Sequence, residues 1–117
     1  MMFPIATNQK YFLYREPTDM RKSFDGLSGL IKNELKADPL DGAVYIFINK
    51  RRNQIKLLVW DRTGFVIYYK RLERGTFELP VVEGQRQSYT INWEQLIFIL
   101  EGVILSSIKR RKRYVRV

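Results

Sequence analysis

The sequence predicts an α+β fold: a single small domain with an antiparallel β-meander of about four strands, a helix after the first strand and a C-terminal helix. Between residues 20 and 35, apolar residues recur at three- and four-residue steps, as on one face of a helix. Three apolar runs of strand length follow, separated by segments too short to hold a crossover helix. The 117 residues are 45% hydrophobic, which is enough for one core but not for a second domain.

The first strand is predicted from Tyr11 to Arg15, and the first helix begins just after Pro17. Proline has no N–H to donate and disfavours helix at the residue before it, so it separates the two elements. Thr18 or Asp19 can cap the free backbone N–H groups of a helix that runs to about Lys36. The apolar face of this helix is formed by Met20, Phe24, Leu27, Ile31 and Leu35.

The meander follows a turn at Asp38 to Gly42. Its strands are predicted at Ala43 to Ile48, Ile55 to Trp60 and Phe65 to Leu72, because each run is rich in β-branched or aromatic residues. The short connections favour antiparallel pairing.

The last third of the sequence predicts a loop, a short strand and a helix. Gly and Pro interrupt the loop from Arg74 to Gln87, and Ser88 to Ile91 has the length of a strand. Asn92, with Gln95 three residues later, predicts a capped helix that runs through Glu101, and Gly102 would end it.

Positive charge is concentrated in the C-terminal tail. The chain has 21 Lys and Arg against 12 Asp and Glu, a net charge of +9. Residues 109–117 carry six of these cations and no acid, so we expect a domain at 1–108 with net charge +3 and a mobile tail that attracts phosphates. A solubilising end or a binding segment for an acidic partner is the alternative. The tail cations counted as nucleic-acid ligands are Lys109, Arg110, Arg111, Lys112 and Arg113.

A second group of cations is expected at one end of the meander. The turn at residues 49–54 lies at that end, and antiparallel strands bring the start of the second meander strand and the end of the third back to it. Several phosphate contacts fit such a patch, although a solvated hairpin tip is the alternative. The cations are Lys50, Arg51, Arg52, Lys56, Lys70 and Arg71, with Arg74 just beyond them.

Aromatic residues interleave with these cations. Trp60, Tyr68 and Tyr69 alternate with Lys56 and Lys70, a pattern that also occurs in base-stacking surfaces. Core packing is the favoured interpretation for them and for Tyr45 and Phe47, because the helices must bury their apolar faces against the sheet.

The composition argues against an enzyme. The sequence has no cysteine and no histidine, which excludes disulfides, thiol nucleophiles, His-based catalysis and zinc fingers. Each acid that could hold a metal has a simpler role in a cap, a turn or an ion pair, so we expect no metal and no cofactor. No apolar segment is long enough to span a membrane, and we expect a cytoplasmic protein. The acids considered are Asp19, Asp25, Asp41, Asp61 and Glu73.

The segment from Pro17 to Leu27, Pro-Thr-Asp-Met-Arg-Lys-Ser-Phe-Asp-Gly-Leu, resembles the signature of TnpB, a small accessory protein of bacterial transposable elements of the insertion sequence 66 family. Longer RNA-guided nucleases also called TnpB are unrelated to this pattern. Later blocks resemble the same family in the same order: Asp38 to Ala43, Asn49 to Arg52, Lys56 to Asp61, Tyr69 to Gly75 and Leu100 to Val103.

The resemblance implies a role in transposition beside a separate, larger transposase. It adds no role for the motif residues Asp19, Arg21, Lys22 and Asp25. Cations near a helix start suggest an external anion, but a surface ion pair of Arg21 and Lys22 with Asp25 or Glu16 is the simpler interpretation.

Two functions fit. One is a non-catalytic DNA-binding factor, acting close to the nucleoid, that uses the cations above. The other is an adaptor that contacts the transposase through its apolar sheet face and last helix, including Trp93, Leu96 and Leu100. An RNA-binding module would use the same cations, and a homo-oligomer is compatible with each.

Overall fold

The computed structural model describes residues 9–81 and 84–104 and contains a five-stranded mixed sheet with one helix on each face. The predicted α+β class, with a helix after the first strand and a C-terminal helix, is confirmed. In chain order the elements are β1 (Tyr11–Tyr14), α1 (Phe24–Asn33), β2 (Val44–Ile48), β3 (Gln54–Asp61), β4 (Gly64–Arg71), β5 (Thr76–Phe77), β6 (Ser88–Ile91), α2 (Trp93–Glu101) and β7 (Val103–Ile104).

The sheet order is β4-β3-β2-β1-β6. Strands β2, β3 and β4 form the predicted antiparallel meander, with Leu57 opposite Ile46 and Tyr68. Strand β1 joins the sheet differently from a meander strand, because it pairs parallel to β2 while α1 crosses over one face. Strand β6 closes the other side of β1 in antiparallel register, with Tyr89 opposite Leu13.

Alternation along the strands divides the core into two layers. On one face, here the α2 face, residues such as Val44, Ile46 and Leu57 pack against Leu96 and Ile99 of α2. On the opposite α1 face, Tyr45, Phe47 and Leu58 pack against Leu27 and Ile31 of α1. Since neighbouring strand residues point to opposite faces, near-continuous apolar strands are what a sheet covered on both sides requires.

Helix α1 starts later than the sequence indicates. Neither Thr18 nor Asp19 caps it: the cap position is Ser23, whose side chain makes no capping hydrogen bond. The Thr18 N–H instead donates to the Ile48 carbonyl at 2.9 Å, which holds this segment beside the end of β2. Residues 17–23, here the motif loop, are therefore tied to the sheet and enter the helix only at Phe24.

The loop predicted at residues 74–87 contains a further element. Strand β5 lies within it and pairs with β7 after α2, and the Phe77 side chain is buried in the α2-face layer. Within the described residues, neither helix is long and apolar enough to cross a membrane.

Candidate nucleic-acid interface

Five strands begin or finish at one end of the sheet, here called the cationic end. Strands β1, β2 and β4 finish there, and β3 and β6 start there. Backbone hydrogen bonds join the segments: the Arg15 N–H donates to Gln87, the Leu72 N–H to Asn53 and the Phe77 N–H to Arg52, at 2.7 to 2.8 Å. Residues distant in sequence are thereby held side by side.

The β2–β3 hairpin loop is organised by one asparagine. The Asn49 Oδ1 accepts from the backbone N–H groups of Asn53 and Gln54, at 3.0 and 2.9 Å, and its Nδ2 donates to the Asn53 Oδ1 at 2.7 Å. The Arg52 N–H closes the turn on the Asn49 carbonyl at 3.0 Å. These bonds present Lys50, Arg51 and Arg52, here the hairpin tip, to solvent.

Exposed positive charge gathers at the cationic end. Among the residues that the structure describes, nine exposed cations lie on the segments that meet there, with five exposed acids on or next to them. At the opposite end of the sheet, three exposed cations, Lys10, Lys36 and Arg62, lie with four exposed acids, so the charges there nearly balance. The nine cations are Arg15, Arg21, Lys22, Lys50, Arg51, Arg52, Arg71, Arg74 and Arg86, and the acids beside them are Glu16, Asp19, Asp25, Glu73 and Glu101. The opposite acids are Asp38, Asp41, Asp61 and Glu94.

Two of the predicted cations use their ammonium groups inside the fold. The Lys56 side chain is buried on the α1 face, where its Nζ donates to the Met20 carbonyl at 2.9 Å and to the Lys22 carbonyl at 2.7 Å. The Lys70 Nζ, on the α2 face, donates to the Leu100 carbonyl at 2.8 Å. The six predicted cations thus do not share one surface, and Lys56 and Lys70 lie apart from the exposed group.

The motif loop borders the hairpin tip. The Asp19 carboxylate accepts from the Arg21 guanidinium at 2.7 Å and from the Arg21 backbone N–H at 2.9 Å. These hydrogen bonds hold the pKa of Asp19 at about 2, below its ordinary value. Lys22 is exposed, and Asp25 lies exposed in the first turn of α1, where the helix dipole favours a carboxylate.

A cleft lies on each side of the hairpin tip. The cleft on the α2 face has a volume of about 450 Å³ and is lined by Arg15, Lys50, Arg52 and Tyr89, among others. The second, of about 510 Å³, lies between the tip and the motif loop and includes Arg21 and Arg51. Cations thus line both clefts.

The aromatic residues mainly serve packing, as expected. Tyr45 and Phe47 are buried, and Trp60 packs edge-to-face on Phe65 with ring centroids 5.1 Å apart. Tyr68 packs against the α2-face layer. Tyr69 differs, because half of its surface is exposed and the Lys56 Nζ lies 4.7 Å from its ring centroid.

Sequence reasoning missed Arg15 and Arg86. Both flank strands whose ends reach the cationic end only through the pairing of β1 with β2 and β6. The C-terminal cations Lys109 to Arg113 lie outside the described residues. Across residues 9–81 and 84–104, no cluster of three or more acids could hold a metal ion.

Comparison with known proteins identifies the lineage of this chain. The family model described as IS66 Orf2 like protein matches residues 9–110. The uncharacterized protein y4hO of Sinorhizobium fredii is 32% identical over 102 residues, covering 87% of each chain. The uncharacterized protein y4jC of the same organism is 29% identical over 96 residues, covering 82% of this chain and 80% of its own.

No solved structure shows significant similarity. Since the matched region spans β1 to β7 and continues to residue 110, the resemblance noted in the motif loop extends over the whole fold. The chain belongs to the IS66 Orf2-like family, the TnpB accessory proteins associated with insertion sequences of the IS66 type.

Proposed function

We propose that this protein is a non-catalytic DNA-binding accessory factor for transposition, acting beside a separate transposase, and that the cationic end is its DNA surface. One observation carries the proposal: nine exposed cations share one end of the sheet with five acids, while the charges at the opposite end nearly balance. An excess of positive charge at one end orients the molecule toward a polyanion, because only that end is attracted to it.

The hairpin tip is the centre of this surface. The Asn49 hydrogen bonds keep the backbone of the tip in one conformation, so little backbone conformational entropy is lost when Lys50, Arg51 and Arg52 contact phosphates. Arg71 is the last residue of the paired strand β4 and Arg74 follows it, and both extend the surface on one side. Phosphate contacts position a protein on DNA without reading its sequence. A preference for the ends of the transposable element would therefore need contacts to the bases, made by this protein or by the transposase.

The test compares two charge reversals of equal size in the full-length chain. One variant carries Lys50→Glu and Arg51→Glu at the hairpin tip, and its matched control carries Lys10→Glu and Arg62→Glu at the opposite end. Binding to a duplex is measured across a salt series. If the tip contacts two phosphates, the first variant loses affinity. The slope of the logarithm of its binding constant against the logarithm of the salt concentration should then become shallower by roughly 2, at about 0.9 per phosphate contact.

The control should keep the wild-type salt slope. Equal losses in both variants would contradict the proposal, because they would show a response to net charge alone. The same two charge reversals are also made in a chain whose five cations at 109–113 are changed to glutamine. This second comparison distinguishes DNA binding by the tail from DNA binding by the cationic end. If that chain binds no duplex at low salt, DNA binding belongs to the tail and the proposal fails for the body.

An adaptor that binds the transposase is the second candidate, and one observation favours it. Phe98 of α2 and Val81 are exposed at 56% and 97%, and they flank a groove of about 440 Å³ that also includes Leu79, Pro80 and Ile99. Leu96 and Leu100, expected to contact a partner, are buried in the core instead. If this groove binds the transposase, Phe98→Glu abolishes co-purification of the two proteins while duplex binding is unchanged.

A further inference from the structure

The cleft on the α2 face of the cationic end combines positive charge with an aromatic side chain. Its volume of about 450 Å³ lies within the range of roughly 300–1,000 Å³ typical of sites for small organic ligands. Arg15 follows β1, while Lys50 and Arg52 belong to the hairpin tip, so cations approach the cleft from two sides. Among its described lining residues, Glu16 is the one acid. Such a balance favours an anionic ligand.

Tyr89 provides the aromatic side chain. It is the second residue of β6, half-buried, and stands opposite Leu13 on the α2 face. Burial raises the pKa of its phenol, while Arg15 and Arg52 act in the opposite direction. Both arginines line the same cleft as this tyrosine. Leu79 and Pro80 supply an apolar wall to the same cleft.

We propose that this cleft binds one unpaired nucleotide of a single-stranded DNA segment, with its phosphate between Arg15 and Arg52 and its base against Tyr89. Guanidinium groups bind phosphate oxygens in bidentate geometry, and aromatic side chains stack on exposed bases. A base inside a duplex cannot enter, because its faces are covered by its neighbours. An acidic peptide would match the cations but would gain nothing from the ring.

This inference rests on the proposed function, since the hairpin tip beside the cleft is the surface assigned to the duplex. The experiment uses the full-length chain and two probes: a blunt duplex, and the same duplex with a short single-stranded extension. For the wild type, the extension should raise affinity roughly 5- to 150-fold, as stacking of one base predicts. Tyr89→Leu should remove this gain and leave blunt-duplex affinity unchanged, whereas Tyr89→Phe should keep it.

Tyr69→Leu is the matched control. Tyr69 is an exposed tyrosine at the same end of the sheet, on the α1 face, so its variant should retain the gain from the extension. Arg15→Gln should lower the gain by removing a phosphate ligand. Thermal unfolding of each variant separates loss of fold from loss of binding, and blunt-duplex affinity reports a folded cationic end.

Each outcome bears on one proposal. If the blunt duplex binds but the extension adds nothing, or if Tyr89→Leu keeps the gain, the nucleotide site is refuted and the duplex surface stands. If the blunt duplex does not bind but a single strand does, in a manner that depends on Tyr89, the nucleotide site stands and the duplex proposal fails.

Discussion

Lys56 shows how burial changes the use of a charged side chain. In the sequence it is one cation among several near the hairpin, and this pattern predicts contact with phosphates. In the fold its side chain is 7% exposed, and its ammonium group donates to the Met20 and Lys22 carbonyls. These two bonds fasten the motif loop to β3. The residue therefore positions Arg21 and Lys22 rather than adding its own charge to the surface.

Replacing this ammonium group should cost stability. Lys56→Met removes the donor of two part-buried hydrogen bonds and the cation beside the Tyr69 ring, so we expect a loss of roughly 2–3 kcal/mol in the free energy of unfolding. Urea denaturation of the full-length chain measures it. Lys70→Met, which removes one bond to Leu100 from a less buried side chain, is the comparison and should lose less. Equal losses would argue against the fastening role of Lys56.

The two helices differ in how much local sequence specifies their starts. For α2, the Asn92 Oδ1 accepts from the Gln95 N–H at 2.7 Å and the Gln95 Oε1 accepts from the Asn92 N–H at 2.9 Å, which is the capping box expected from the sequence. For α1, the cap position Ser23 makes no such bond, and tertiary contacts of the motif loop delay the helix. A start set by a local hydrogen bond can be predicted, whereas one set by packing cannot.

The contrast can be measured by two alanine substitutions. Asn92→Ala should destabilise the protein by about 1 kcal/mol, because the Gln95 N–H at the start of α2 loses its side-chain acceptor. Ser23→Ala should change the free energy of unfolding by much less, since no capping bond is lost. Chemical denaturation of both variants decides the matter. A loss at Ser23 that matches the loss at Asn92 would show that the two caps do not differ in energy.

At the scale of the whole molecule, topology gathers cations at one end of the sheet. Parallel pairing of β1 with β2 brings Arg15 beside the hairpin tip, and antiparallel pairing of β6 brings Arg86 to the same end. The result, among the described residues, is an excess of exposed cations at one end and a near balance of charge at the other. Like charges at such density repel one another and lower the stability of the folded chain at low ionic strength.

Salt should therefore stabilise the protein, and reversal of charge at the tip should do so as well. The variant Lys50→Glu with Arg51→Glu should be more stable than the wild type at low salt, by on the order of 0.5 kcal/mol, because it removes repulsion from exposed positions. The difference should vanish as salt shortens the screening length to about 8 Å near 0.15 M. Thermal unfolding across a salt series tests this. A variant less stable than the wild type at low salt would mean that repulsion does not dominate there.

The sequence by itself determined the elements whose signals are local. The meander of β2, β3 and β4 follows from apolar runs and short turns, and α2 follows from its capping box and Gly102. The family was recognisable from ordered motifs, and the hairpin tip followed from the position of a basic turn between two strands. Each of these signals lies within a few residues of the feature it predicts.

Only the tertiary structure decided the parallel placement of β1, the late start of α1 and the membership of the candidate site. Strand pairing places Arg15 and Arg86 at the cationic end. The Lys56 ammonium group is not exposed there, because it donates hydrogen bonds to two carbonyls that are 34 and 36 positions away in the sequence. Lys70 likewise bonds to a carbonyl 30 positions away. The physical reason is that burial and strand neighbours arise from the closure of long loops, and the free energy of such contacts depends on both partners rather than on either segment alone.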